Sequence, residues 1–190
     1  MTRVPISHDH IRATLDAYLV RHPSERVALS PLTDGLARRG PLVSRSTFTG
    51  HVTCSAVLID LSGQVLHIHH NTLGLLLLPG GHLEDADADL QAAALRELTE
   101  ETGILADTAN RDPVMDGVPL DINIHTIPAN PAKAEPEHSH FDFRFAFRTT
   151  DRQGLHITLQ PEEVGGYRWL KPVDCSSPSV AVKLATLLSS

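Results

Sequence analysis

The run from His140 to Arg148 constrains the fold more than any other stretch. Phe141, Phe143, Phe145 and Phe147 occupy alternate positions, and His140, Asp142, Arg144 and Arg148 fall on the intervening ones. A period of two is that of a β-strand, so the phenylalanines share one face and the polar side chains the other. Four of the chain's five phenylalanines thus mark one apolar sheet face. Burying such a face calls for another layer packed on it.

The surrounding pattern alternates between the two periodicities. Residues Ser7 to His22 read as a helix, with Ile11, Leu15, Tyr18 and Leu19 at helical spacing and Ser7 as cap. Pro23-Ser24 interrupts it, a weaker helix runs through Val27, Leu32 and Leu36, and Arg38-Arg39-Gly40-Pro41 reads as a connector. Residues 1–45 are read as a helical extension to a main domain spanning 46–190, because so short a piece buries little by itself. Thr49–Asp60 and Val65–His69 are predicted strands around a turn at Leu61-Ser62-Gly63-Gln64. The apolar run Leu73–Leu78 is read as another strand, ending at Pro79-Gly80-Gly81. Asp121–Ile127, Leu155–Leu159 and Gly166–Leu170 are further predicted strands, and Pro128–Pro136 is a proline-rich loop. Helices are predicted over Leu90–Thr102, between an Asp89 N-cap and a Gly103 C-cap, and from Pro178 with Ser177 as cap. Single helices set among strands predict an α/β protein of the α+β type, a mixed sheet with helices on its faces.

Composition narrows the function classes. The formal charge of −7 over 190 residues argues against a nucleic-acid polymer, whose binding needs a basic face. A small phosphorylated partner stays compatible with it, since a bound cation neutralises such a ligand locally. Cys54 and Cys175 form no metal or redox motif, and no apolar run approaches membrane-spanning length. A cytoplasmic protein without membrane attachment is the expectation.

The chemistry concentrates in Ala94-Leu95-Arg96-Glu97-Leu98-Thr99-Glu100-Glu101-Thr102-Gly103-Ile104. On a helix, Glu97, Glu100 and Glu101 project within one sector. Like charges at this spacing cost about 0.2–0.5 kcal/mol per pair, and the helix dipole disfavours anions near the C-terminus. A divalent cation that neutralises the cluster removes both penalties. An all-oxygen donor set suits magnesium or manganese rather than zinc.

Gly81, Arg96, Glu97, Glu100, Glu101, Gly103 and Ile104 resemble the Nudix box, a glycine-led loop followed by a helix bearing Arg-Glu-hydrophobic-x-Glu-Glu-x-Gly-hydrophobic. Matching the Gly, Arg, three Glu and Gly by chance occurs on the order of once in ten million starts at roughly 6% usage per residue. The Gly81–Arg96 spacing is one residue longer than the family's usual one, and Asp87 stands where the family's loop glutamate would. The resemblance implies a Nudix-like α/β/α sandwich. It also implies a Mg²⁺-dependent hydrolase in which water attacks phosphorus in the diphosphate of a nucleoside diphosphate linked to another moiety. Carried over by position, Glu97, Glu100 and Glu101 become metal ligands together with the carbonyl of Gly81 or Gly80, and Arg96 holds Glu97 in place. Glu163, in the loop before Trp169, becomes an extra ligand or the general base, with Glu97 as the alternative base. Homodimers are common in the resembling family. The rival reading is a non-catalytic Nudix-like sensor or binding module, which typically loses box carboxylates that this chain keeps.

The 12 histidines need a separate reading. His138, His140 and Asp142 alternate on one strand face, as a zinc site lacking a fourth ligand, as a substrate-facing strand, or as an ordinary surface. His82, His138, His140 and Arg144 are taken as candidate substrate contacts, with Lys133 and Arg148 as further phosphate candidates.

Overall fold

The computed structural model describes residues 6–189 apart from positions 39, 113, 151 and 153. Arg39 of the expected connector and residues 1–5 of the expected extension lie outside the described residues. Helix α1 (His8–Arg21) starts where Ser7 Oγ accepts a hydrogen bond from the His10 amide at 3.1 Å, and it buries Ile11, Leu15, Tyr18 and Leu19. A 3-10 turn at Pro23–Glu25 leads to α2 (Ser30–Ala37), which buries Leu32 and Leu36. Val27, expected within that helix, lies in the turn before it and is exposed.

The rest of the chain gives β1 (His51–Ile59), β2 (Val65–His70), β3 (Leu75–Leu77), β4 (Gly80–His82), α3 (Leu90–Thr102), β5 (Asn110–Arg111), β6 (Asp121–Ile127), β7 (His138–Arg148), β8 (Val164–Leu170) and α4 (Pro178–Leu187). Strands β1 and β7 run parallel at the centre, from His51 opposite His140 to Ile59 opposite Arg148. The other edge of β1 is divided: β4 pairs antiparallel with Thr53–Ser55 and β2 joins at Ile59. The other edge of β7 takes β6 along its whole length and β5 near Arg148. Strands β3 and β8 flank β2. The sheet is mixed, as the sequence predicts.

Alternation along β1 and β7 sorts the core into two layers. Val52, Cys54, Ala56 and Leu58 join the four β7 phenylalanines, the α3 residues Leu90, Ala93, Ala94 and Leu98, and the buried residues of α1 and α2. Each buried phenylalanine gains about 1.5–3 kcal/mol on leaving water. Val57, Ile59, Val65 and Ala146 face the opposite way, onto Val180, Leu184 and Leu187 of α4. Helices on both faces of a mixed sheet give the expected α+β sandwich. Among the described residues no helix is long and apolar enough to cross a membrane.

Three expectations are corrected. Leu155–Leu159 forms no strand; instead the Thr158 amide donates to Thr102 O at 2.8 Å and the Gln160 amide to Glu101 O at 3.2 Å. The segment thereby satisfies carbonyls that the end of α3 leaves open. The Leu73–Leu78 run yields only the three-residue edge strand β3, with Leu73 and Leu75 exposed. Ser177 stands at the N-cap of α4 without a side-chain capping bond; its Oγ accepts from Arg144 Nη1 at 2.7 Å.

Candidate active site

Helix α3 is fixed at both ends by its own sequence. Asp89 Oδ1 accepts from the Ala92 amide at 2.7 Å, and Gly103 closes the helix at φ 69°, a left-handed conformation that suits glycine. Between these caps, β4 runs beside the glutamate face. The Gly80 amide donates to Glu101 Oε2 at 2.9 Å. A Cβ on Gly81 would stand 2.7 Å from the Glu97 carboxylate, and one on Gly80 would stand 2.4 Å from Ser55 Oγ. Neither glycine has a positive φ. Space demands glycine at position 80, where the β1 backbone at Cys54 and Ser55 stands in the way; at position 81 the absent side chain leaves room for the Glu97 carboxylate in its present place.

Arg96 organises the loop between β4 and α3. Its Nε donates to Asp87 Oδ1 at 2.9 Å and its Nη2 to Asp87 Oδ2 at 3.1 Å. Nη2 also reaches His82 O at 2.7 Å, while Nη1 donates to Glu97 Oε1 and to Glu100 Oε2, each at 2.9 Å. Asp87 is buried, and its Oδ2 further accepts from the Glu84 amide at 2.8 Å. The longer loop thus closes into a turn around Asp87, and the box arginine ties that turn to two box glutamates.

Burial dominates the electrostatics of the glutamates. It drives Glu97 up to about 7; Arg96 opposes this and the charges of Glu100 and Asp87 add to it. Glu101 is driven up to about 8, again chiefly by burial, with the Gly80 amide opposing and the charges of Glu97 and Glu163 contributing. Burial also works against the charge of Arg96, but its bond to Asp87 and the charge of Glu97 outweigh this and raise its pKa. Carboxylates crowded and buried this way stay ionised near neutral pH when a cation joins them. Glu97 and Glu101 face the glycine strand and Glu100 is linked to Glu97 through Arg96, so the side chains here offer oxygen donors alone, the chemistry that suits Mg²⁺.

Glu163 lies just before β8, exposed, with its carbonyl accepting from the Asn71 amide at 2.8 Å. Its charge acts on Glu101, which sets the β8 loop beside the box helix. Glu162 is exposed next to it.

The polar face of β7 departs from the sequence picture. Asp142 does not join the histidines: it accepts from Ser55 Oγ at 2.8 Å and from Arg144 Nε at 2.7 Å. Arg144 spends its remaining contacts on Asp121 Oδ2 at 3.0 Å and on Ser177. Arg148 pairs with Asp112 at 2.5 Å. Lys133 ends the 3-10 turn Pro131–Lys133 and is exposed. His138 and His140 are joined instead by His51, which the register sets opposite His140, and by His82 and His125 on the flanking strands. Burial lowers the His51 pKa, and burial with the neighbouring imidazoles pushes His82 down to about 4 and His140 to about 3. Sequence reasoning missed His51. The one signal for it was its place at the head of a β-branched run, since its partner strand lies far along the chain.

Comparison with known proteins agrees with this geometry. The family model described as NUDIX domain matches residues 49–187. A probable DHNTP pyrophosphohydrolase from Lactococcus lactis subsp. cremoris (strain MG1363) is 32% identical over 122 residues, covering 60% of this chain and 69% of the relative. A C. elegans Ap4A hydrolase, solved as a binary complex, superposes with a TM-score of 0.52 at 17% identity, covering 73% of this chain and 97% of that one. With the box helix, its glycine strand and the arginine-held loop in place, the chain belongs to the Nudix family.

Proposed function

We propose that this Nudix hydrolase is Mg²⁺-dependent and splits the diphosphate of a nucleoside diphosphate linked to another moiety. The observation that carries this reading is the packing of Glu97 and Glu101 against Gly81 and Gly80, with Glu100 alongside. Glu97, Glu100, Glu101 and the Gly81 carbonyl would hold the ion. Bound Mg²⁺, or Mn²⁺ in its place, supplies charge neutralisation on phosphate oxygens and lowers the pKa of water.

The chain's own groups account for the remaining roles. A water oxygen forms a bond to phosphorus, the bridging P–O bond breaks, and the water proton passes to a carboxylate. We assign that base to Glu163, whose charge acts on Glu101 and whose exposed carboxylate is not committed to an ion pair among the described residues; Glu97 is the alternative. Arg96 orients Glu97 through its 2.9 Å contact and is itself held by Asp87. His82, His138 and His140 line the face on which the substrate's second moiety packs. Arg144 is assigned to holding Asp142 and Asp121 rather than to a phosphate, because its guanidinium is already committed to both.

The Lactococcus relative's name adds DHNTP, and the C. elegans protein's adds Ap4A, to the substrates worth testing. Both cysteines are free thiols, in keeping with a reducing, cytoplasmic setting. The test is phosphate release from a panel of such diphosphates, with and without Mg²⁺. Ligand binding without turnover on any of them favours a sensor instead.

A further inference from the structure

The histidine face holds a second donor set, chemically unlike the glutamates. One ring nitrogen from each of His51, His138 and His140 lies within 4.8 Å of the other two. The rings are 4.6 Å apart for His51 and His140, 5.0 Å for His51 and His138, and 5.2 Å for His138 and His140. Strand pairing produces the cluster: His51 and His140 sit opposite one another across parallel strands, and His138 is two residues from His140 on the same face.

The tautomers are set by the backbone. His51 Nδ1 contacts Thr47 O at 3.3 Å, and His138 Nδ1 contacts Pro136 O at 2.8 Å. A carbonyl only accepts, so each Nδ1 carries the proton and each Nε2 keeps a free lone pair. His51 Nε2 is buried without any hydrogen-bond partner, one of two such side-chain atoms among the described residues. An orphaned acceptor of this kind costs about 1–3 kcal/mol. A ring whose second nitrogen donates to a backbone carbonyl is the usual arrangement of a metal-bound histidine.

We propose that His51, His138 and His140 bind one zinc ion, leaving a fourth position beside His82 for water or an incoming ligand. Imidazole nitrogens with no thiolate among them select a borderline divalent ion such as Zn²⁺ over Mg²⁺. Tetrahedral zinc at about 2.0–2.1 Å from each nitrogen places the nitrogens roughly 3.3 Å apart, so binding would draw the three rings inward from their present spacing of up to 4.8 Å. The ion would satisfy the orphaned His51 nitrogen and pin the first residues of β1 and β7 together. His82 brings the site up to the glycine strand, with its ring 5.0 Å from His51 and 5.3 Å from His140. The inference rests on the histidine geometry alone and stands whether or not the glutamates hold magnesium.

The experiment loads the full chain with Zn²⁺, removes loosely held metal, and measures metal content and affinity. The wild type and Glu100→Gln/Glu101→Gln are both expected to retain one zinc per chain. His51→Asn and His140→Asn are each expected to weaken binding by at least the roughly 10–100-fold that loss of an outer-shell partner costs. Co²⁺ in the unmutated chain gives a readout that does not depend on variants folding, since tetrahedral nitrogen ligation produces strong visible absorption. Zinc lost from the glutamate variant, zinc retained equally by the histidine variants, or a Co²⁺ spectrum without tetrahedral bands would overturn the proposal.

Discussion

Asp87 holds Arg96 through two parallel hydrogen bonds, at 2.9 Å to Nε and 3.1 Å to Nη2, and this pair ties the long loop to the box helix. Asp87 is buried, so its removal leaves the Nε donor of Arg96 without its partner, with Glu97 and Glu100 the remaining counter-charges on Nη1. Breaking one side of a buried pair costs about 3–5 kcal/mol, at roughly 2–4 °C of melting temperature per kcal/mol for a chain of this size. Asp87→Ala is expected to melt on the order of 10 °C lower in a thermal scan and to lose activity with it. An unchanged melting temperature would mean that the loop is held elsewhere.

Gly81→Ala separates space from stability. The new methyl group meets the Glu97 carboxylate at 2.7 Å, and that side chain has to swing aside. Misplacing a reacting group by about 1 Å costs on the order of 10²-fold in rate. Steady-state kinetics should therefore show kcat falling by about that factor, with weaker Mg²⁺ dependence and little change in melting temperature.

Protonation of the buried glutamates sets a pH dependence. Glu97 at about 7 and Glu101 at about 8 both lie above their ordinary value of 4.5. On these two groups the folded state holds more protons than the unfolded state between 4.5 and 8; the lowered His51, His82 and His140 act the opposite way below their ordinary 6.5, so metal-free stability falls with rising pH from about 6.5 to 8. Mg²⁺ binding displaces those protons, so its affinity rises with pH and levels off above about 8. Thermal scans at several pH values, with and without Mg²⁺, check both signs. A metal-free protein that gains stability from about pH 6.5 to 8 would contradict them.

Glu163→Gln tests the base. General-base catalysis contributes about 10²–10⁴-fold, so kcat should fall within that range while the Mg²⁺ affinity stays near wild type. Full turnover under saturating Mg²⁺ would pass the role to Glu97.

What the sequence disclosed divides by range of interaction. The bounds of α3, with Asp89 and Gly103 at its ends, follow from local rules and match the structure. So does β6, and so does the phenylalanine face of β7. The partners of β7 depended on register across distant strands. No local pattern sets His51 opposite His140, nor Ser55 against Asp142. Leu155–Leu159 carries a strand-like composition, yet its Thr158 amide, with that of Gln160 just beyond, serves the end of α3, a tertiary demand that outweighs propensity. The glutamates of the box were legible because one helix carries all three. The Asp87 pairing with Arg96 needed the folded loop to become visible.

The central claim is that the α3 glutamates hold the ion needed to split a diphosphate. Its most direct test is phosphate release by the wild type and by Glu100→Gln/Glu101→Gln across a panel of nucleoside diphosphate conjugates, DHNTP and Ap4A. Mg²⁺ is titrated in each assay. The account predicts Mg²⁺-dependent turnover of at least one substrate by the wild type and loss of at least about 10²-fold in the variant, on the scale of removing a main transition-state stabiliser. Turnover that is independent of Mg²⁺, or that survives in the variant, would contradict it.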